Sequence, residues 1–379
     1  MRIIVAVMCA AAVWMFFYGT CMAEDMEKAV ADSYLEELDL EEIQDTIDQL
    51  FPEAEMNFRD SILELMEGKS PVSPETMKQL MYKLVLGELK SQRAIMIRIL
   101  VLAVVSAVFA NFVKIFDGSQ ISDIAFYMIY LLLFVILMKA FEELDQMASD
   151  HIGQVLHFMK LLLPVYLVTA SLAAGSVTAA GFYELTLFFI TGAQLIINYI
   201  VLPGIKFYVL FLLLNHLGKE DYLSRLSALI ELALSWILKT LLAVLVGVQT
   251  VQALLLPAID SLKNGVLNKA AGAVPVLGNT LNAVTETVLG TAVLLKNAVG
   301  AAGMIIIVMI CMAPAVRLAV CTLLYKAVSA AVQPVSDKRI TECIAGVGEG
   351  TALLLKTVGT MGIMLLLTLA IVTASIKGL

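Results

Sequence analysis

Two related stretches carry the main signal for the fold: GTAVLLKNAVGAAG at residues 290–303 and GTALLLKTVGTMG at residues 350–362. Both consist mainly of apolar and small residues, and each places one lysine, Lys296 or Lys356, in its middle. A charge in hydrocarbon is costly unless it is paired, solvated or able to reach the headgroups. Because repeated helices are a common way of building transport folds, the pair predicts a membrane protein with a duplicated, partly polar inner element.

Composition places the rest of the chain in the same class. Of the 379 residues, 60% are hydrophobic and 15% are charged, whereas ordinary soluble domains have about 45–50% and about 25%. The predicted fold class is therefore all-α, a polytopic integral membrane protein. Polar stretches, including 142–150 and 325–350, are expected to be loops between the spans. Runs of about 20 apolar residues cross the hydrocarbon core, and seven or eight transmembrane helices are predicted at 95–113, 121–141, 161–180, 182–202, 205–217, 226–257, 301–321 and 351–373.

The first 93 residues differ from the remainder. Residues 1–23 combine Arg2, an apolar stretch, and small residues at Cys21 and Ala23, the pattern of a secretory signal peptide. An uncleaved signal anchor is the alternative. Residues 24–93 carry 18 acidic and 7 basic side chains, a net charge of −11, whereas the whole chain carries −8. We therefore expect an acidic region exported from the cytoplasm. Neither this region nor the rest of the chain is basic enough for a nucleic-acid-binding protein.

The exported region is predicted to form short helices. Apolar residues recur at helical spacing before Pro52, a second helix follows Asn57, and Ser73-Pro74 supplies a cap and a first-turn proline for a third. A region of this size can hardly bury a large core alone, so we expect it to pack on a partner, on the membrane body or on itself. Its candidate partner-docking surface consists of Glu36, Glu37, Glu41 and Glu42.

The chain divides into five predicted parts: a signal peptide (1–23), an exported acidic helical region (24–93), transmembrane helices (94–257), an amphipathic or re-entrant hairpin (258–300) and C-terminal transmembrane helices (301–379). The fourth part is distinctive because asparagines, threonines and small residues alternate with apolar ones. Such backbone is tolerated at membrane depth only where protein packs on it or it lines water. A helix lying on the membrane surface is the alternative.

Four charged residues define a candidate polar interior: Lys239, Glu286, Lys296 and Lys356. Lys239 belongs to a weaker third copy of the lysine element. One hypothesis is that these lysines face a polar interior or pair with Glu231, Glu286 or Glu349. The other is that each lysine lies near a helix end and extends to the headgroups. The sequence leaves both open.

Catalytic and metal-binding motifs are absent from the sequence. The spacing from Gly350 to Lys356-Thr357 is similar to a phosphate-binding loop, but Leu355 replaces the glycine required before the lysine. There is no HExxH, GxSxG or paired-cysteine metal pattern, and the three histidines have no companion ligands in sequence. We therefore predict that the protein is not an enzyme and has no catalytic residues, metal site or cofactor.

Three stretches of the sequence, one of which contains the first repeat, resemble a known family. They are VGVQTVQ at 246–252, AVPVLGNTLNAVTETVLGTAVLLKNAVGAAG at 273–303 and CMAPAVRL at 311–318. Together with the signal-like N-terminus, the acidic region and the last apolar span, they resemble the stage III sporulation protein AE family.

The resemblance implies a membrane subunit of the multi-protein channel, or feeding-tube, apparatus that links mother cell and forespore during endospore formation. It implies a location in the mother-cell-derived membrane around the forespore and a need for the protein in forespore development. Implied partners are other stage III sporulation proteins, including ring-forming subunits and a separate ATPase, and glycine-rich helix faces leave a homo-oligomer open. The alternatives are a secondary transporter or permease, and a non-conducting scaffold for ring-forming partners.

Overall fold

The computed structural model describes residues 33–36, 38, 40–51, 56–113, 119–174, 176–217, 222–271 and 278–375. Within these ranges the backbone alone is described at 109–113, 119–123, 125, 174, 176–179, 182, 256–271, 278–289 and 375. The signal peptide predicted at 1–23 lies outside the described residues. Every regular element that is described is a helix, which confirms the predicted all-α fold class.

Two short helices precede the membrane body: α1 (Glu41–Leu50) and α2 (Phe58–Met66). A helix follows Asn57, as predicted, and the side chain of Asn57 caps it by accepting hydrogen bonds from the backbone N–H groups of Arg59 and Asp60 at 2.9 and 3.3 Å. Gln44 fixes α1 to this cap, since its Nε2 donates to the Met56 carbonyl and its Oε1 accepts from the Phe58 N–H. The two helices therefore form one unit.

This unit packs on the membrane body, one of the three arrangements expected. The buried apolar residues of the two helices belong to the same core cluster as residues of the long helices; they are Ile43, Ile47, Phe58 and Ile62. Helix α3 (Pro74–Val113) follows, and its start is capped by Ser73, whose Oγ accepts from the Thr76 N–H at 3.1 Å. It continues without a break through residue 93, so the end of the acidic region and the first predicted span share one helix.

Helix α4 (Ser119–Ala174) corrects the predicted loop at 142–150, which was wrong. That stretch, EELDQMASD, contains neither glycine nor proline, so nothing in its backbone preference ends the helix. Charge alone suggested a loop, yet several of these side chains lie among neighbouring helices. At 1.5 Å per residue, a helix of 56 residues is about 84 Å long, whereas a bilayer with its headgroups is about 40–45 Å thick.

Two further predicted spans also join into one unit. Helix α5 (Ser176–Ile196) continues through a π-helical turn (Ile197–Val201) into α6 (Leu202–Asn215). Among the described residues, six helices are long and apolar enough to cross a membrane. This number is lower than the seven or eight predicted, because 121–141 with 161–180, and 182–202 with 205–217, each lie in one continuous helical run.

The last three helices are α7 (Ser224–Ala271), α8 (Gly278–Val332) and α9 (Lys338–Ser375). The predicted loop at 325–350 was wrong: only 333–337 lie between α8 and α9, and both helices extend into the rest. Of the predicted hairpin, 272–277 lie outside the described residues, and the backbone is helical up to Ala271 and from Gly278 onward. The five-part division of the chain stays a prediction.

Helices α8 and α9 form a long antiparallel pair that lies at the centre of the core. Near its turn, Ser329 Oγ donates to the Thr341 carbonyl at 3.0 Å. Further along, a Cβ placed on Gly348 would lie 3.1 Å from Tyr325 Cβ, and one on Gly362 would lie 3.0 Å from Cys311 Sγ. Small residues on α9 therefore let the two backbones approach closely.

Candidate functional site

Lys296 is enclosed between α8 and α9. Its side chain is 1% exposed, and Nζ donates to the backbone carbonyl of Thr373 at 3.1 Å. Thr373 lies two residues before Ser375, the last described residue of α9. Lys296 therefore joins α8 and α9 and is enclosed by protein.

Lys356, at the matching position of the second copy, has a different environment. Its side chain is exposed, and Nζ is 2.8 Å from Ser235 Oγ of α7, to which it donates. Lys239 is exposed one turn further along α7. The side chain of Glu286 lies outside the described residues. The structure therefore brings Lys356 next to the face of α7 that carries Lys239, and it places Lys296 apart from them at Thr373.

Antiparallel pairing explains why the two copies of the repeat diverge. On α8 and α9, Lys296 lies level with Thr373, whereas Cys311 lies level with Gly362. The second copy, which begins at Gly350, is therefore opposite the C-terminal half of α8 and not opposite the first copy. Two similar sequences thus contact different neighbours, and the pair does not form a symmetric site.

The glutamines of the VGVQTVQ stretch face the interior. Gln249 is fully buried on α7, and its Nε2 donates to Thr368 Oγ1 of α9 at 3.0 Å. Gln252, one turn on, is 5% exposed. A buried amide needs a polar partner, so this stretch provides a side-chain hydrogen bond between α7 and α9.

Three of the four residues of the candidate docking surface are described, and all three are exposed: Glu36, Glu41 and Glu42. Glu37 lies outside the described residues. Arg59 of α2 is 3.8 Å from Glu36. Glu41 and Glu42 occupy the first turn of α1, where carboxylates interact favourably with the helix dipole. This surface is therefore accessible to a partner.

Charged residues on five helices make contacts between helices or line a cavity, and most of them are exposed. We name this region the charged zone and define it as Glu88, Lys139, Glu142, Glu143, Asp145, Asp150, Lys206, Arg317 and Glu349. Its most buried carboxylate is Asp145, which is 2% exposed, and one of its oxygens is 2.9 Å from Lys206 Nζ of α6. Tyr208, also on α6, donates to Glu349 of α9 at 3.0 Å. These contacts join α4, α6 and α9.

A second charged contact of the zone joins α3 and α8. Arg317 Nε is 3.4 Å from Glu88 Oε1, and Gln92 donates to the same carboxylate at 2.8 Å. Arg317 belongs to the CMAPAVRL stretch. The guanidinium and carboxylate neutralise each other in a region where an unpaired charge would be costly.

A cavity of about 890 Å³ opens beside this contact, between the end of α1 and helices α3, α4 and α8. Its polar lining is contributed mainly by α4. His151 lies in this wall and is only 5% exposed. The charged and amide residues of the lining are Glu88, Lys139, Glu142, Glu143, Gln146, Asp150, Gln154 and Arg317.

Sequence reasoning missed the charged zone and the cavity, although part of the signal was visible. Lys206 and Arg317 are isolated cations inside predicted spans. Charged residues inside membrane spans usually pair with one another or with backbone carbonyl groups. His151 lies inside α4, directly after the stretch 142–150 that was predicted to be a loop. The partners of these residues lie far away in sequence, so spacing could not identify them.

Six long apolar helices in the described residues, joined by charged contacts, define a polytopic helical membrane protein. Within that class, residues 56–375 match the family described as Stage III sporulation protein AE. The chain belongs to this family and is thus a membrane protein of sporulation. The family's name refers to a developmental stage and to no enzymatic activity.

The comparison with individual proteins agrees. The chain is 22% identical over 324 residues to Stage III sporulation protein AE of Bacillus subtilis (strain 168), a similarity that covers 85% of this chain and 80% of that protein. No solved structure matches the chain.

Proposed function

We propose that this protein is a membrane subunit of the multi-protein channel apparatus that links mother cell and forespore during endospore formation. The observation that carries the proposal is the family match over 56–375, which includes nearly all of the membrane body. The proposal assigns the protein no enzymatic activity, so any energy for transport comes from the separate ATPase.

The proposed location is the mother-cell-derived membrane around the forespore, with the acidic N-terminal region outside the cytoplasm. Helices α1 and α2 are compatible with this arrangement, because they pack on α4 and α8 while their carboxylates stay exposed. In this position they face the space between the two membranes. Ring-forming subunits of the apparatus are the proposed partners of that acidic surface.

The test is charge reversal of the docking surface in the sporulating cell. A variant with lysine at Glu36, Glu37, Glu41 and Glu42 is expected to remain in the membrane at normal amounts but to lose co-purification of the ring-forming partners. The matched control is Glu184→Lys, which changes an exposed carboxylate on α5, far from α1 in sequence. Unchanged recovery of partners with the quadruple variant contradicts the proposed docking.

A second candidate, a non-conducting scaffold, is favoured by one observation. Lys296 is enclosed and bonded to α9, which favours a packed contact between helices over a side chain that lines water. A scaffold would hold ring-forming partners without a pore of its own. A secondary transporter remains the other alternative, and substrate uptake by the purified protein alone in liposomes would support it against both.

A further inference from the structure

The cavity beside α1 has more negative than positive charge available to a ligand. Of its ionic residues, Glu88 and Arg317 are paired with each other at 3.4 Å. Glu142, Glu143 and Lys139 have no ion pair within 4.0 Å among the described residues, and Asp150 accepts a hydrogen bond only from Gln146 there, at 2.9 Å. Three carboxylates and one ammonium group therefore remain, which favours a cationic ligand.

His151 provides a second, independent indication of a ligand. Its imidazole is 95% buried, lines the cavity and has no hydrogen-bond partner among the described residues. Buried polar side chains in proteins are nearly always hydrogen-bonded. An uncharged imidazole has one acceptor nitrogen, which can accept a hydrogen bond from an ammonium group.

The spacing of the carboxylates selects the shape of the ligand. Glu143 and Asp150 are seven residues apart on α4, so they project from the same side of the helix about 10 Å apart along its axis. No group of three or more acidic, histidine or cysteine side chains in the described part of the chain is close enough to hold one metal ion. Separated anionic positions fit a ligand whose positive charges are also separated.

The rest of the lining suits an aliphatic chain between those charges. Apolar residues from three helices border the cavity: Leu84, Met147, Ile310 and Val316. A volume of about 890 Å³ is within the range of about 300–1,000 Å³ usual for small-molecule sites. We propose that this cavity binds a linear polyamine, with its ammonium groups at Glu143 and Asp150 and an N–H donated to His151.

The test uses spermidine, a triamine whose end ammonium groups can lie as far apart as these two carboxylates. Calorimetric titration of the purified full-length chain in nanodiscs is expected to show one saturable site. Glu143→Gln and Asp150→Asn should each weaken binding about tenfold, because each removes a charged hydrogen-bond acceptor. Both side chains are exposed, so neither change should prevent folding.

His151 is tested with two variants of different chemistry. His151→Leu removes the acceptor and should weaken binding by about tenfold, whereas His151→Gln keeps one and should bind within about threefold of the wild type. Glu184→Gln is the matched control for loss of an exposed carboxylate elsewhere and should bind spermidine like the wild type.

Two competing compounds distinguish a specific binding site from nonspecific electrostatic attraction. n-Butylamine, with one ammonium group, should bind at least about tenfold more weakly than spermidine. Magnesium chloride at equal ionic strength should compete no better than sodium chloride. The proposal is overturned if no saturable binding of spermidine occurs or if the Glu143 and Asp150 variants bind spermidine normally. It is also overturned if magnesium chloride displaces spermidine more effectively than sodium chloride does at equal ionic strength.

Discussion

Lys296 Nζ and the carbonyl oxygen of Thr373 are 3.1 Å apart, and this hydrogen bond joins the first repeat on α8 to α9 close to Ser375. Gly300, one turn beyond Lys296, lies against the side chain of Thr373. Lys296, which one of the two hypotheses placed in a polar interior, therefore lies in a closely packed contact between helices. Its counterpart Lys356 faces the surface beside Ser235.

This difference predicts the accessibility of the two lysine positions. In a chain whose native cysteines are replaced, Lys296→Cys should react with a membrane-impermeant maleimide at least about tenfold more slowly than Lys356→Cys, because labelling requires an accessible thiolate. The measurement is the labelling rate in sealed vesicles, with reagent supplied on each side in turn. Equal rates at the two positions would mean that water reaches Lys296, which would support a conduit.

The contact between Asp145 and Lys206 predicts an asymmetry in stability. Asp145 is almost fully buried, whereas the Lys206 side chain is 46% exposed. Lys206→Met should therefore lower the free energy of unfolding by about 3 kcal/mol, since it leaves a buried carboxylate without its partner. Asp145→Asn should have a smaller effect, about 1 kcal/mol, because the remaining lysine can be solvated.

Chemical unfolding in mixed micelles measures both free energies. The double variant Asp145→Asn with Lys206→Met should recover most of the loss caused by Lys206→Met alone. If the two single variants were equally destabilised, burial of Asp145 would not be the source of the effect.

Two corresponding glycines of the repeat should respond differently to a methyl group. A Cβ on Gly300 would lie 2.5 Å from Thr373 Oγ1 and 3.2 Å from its Cγ2, so rotation of the threonine cannot relieve the contact. Gly300→Ala should cost about 1–3 kcal/mol of stability through overpacking. Gly359→Ala is the matched control, since no atom lies within 4 Å of its added Cβ, and it should be neutral or stabilising by up to about 1 kcal/mol. Thermal unfolding of the two variants checks this, and equal destabilisation contradicts close packing at Gly300.

The cap of α2 gives a prediction for the unit formed by α1 and α2. Asn57→Ala removes the acceptor for two N–H groups at the start of α2 and should cost about 1 kcal/mol, whereas Asn57→Asp keeps an acceptor and should cost little. Limited proteolysis between α1 and α2 measures the opening of this unit. Identical cleavage rates for both variants would show that the cap does not hold it closed.

Local signals in the sequence predicted the features that depend on neighbouring residues. Asn57 and Ser73 mark the starts of α2 and α3 because capping is a contact over two or three residues. The apolar runs identify the membrane class because burial in lipid depends on composition. The loop predicted at 142–150 was wrong because its charged residues have partners or a cavity in the fold, and no residue there interrupts a helix.

The sequence by itself determined that this is an all-helical membrane protein with charges in its spans, since hydrophobic burial and helical spacing are properties of each segment. Only the tertiary structure decided what each charge does. Lys296 and Lys356 lie in nearly identical segments, yet one is enclosed and the other exposed. The antiparallel pairing of α8 with α9 places the two segments against different neighbours, and it is these neighbours that determine whether a charge is buried, paired or open to a ligand.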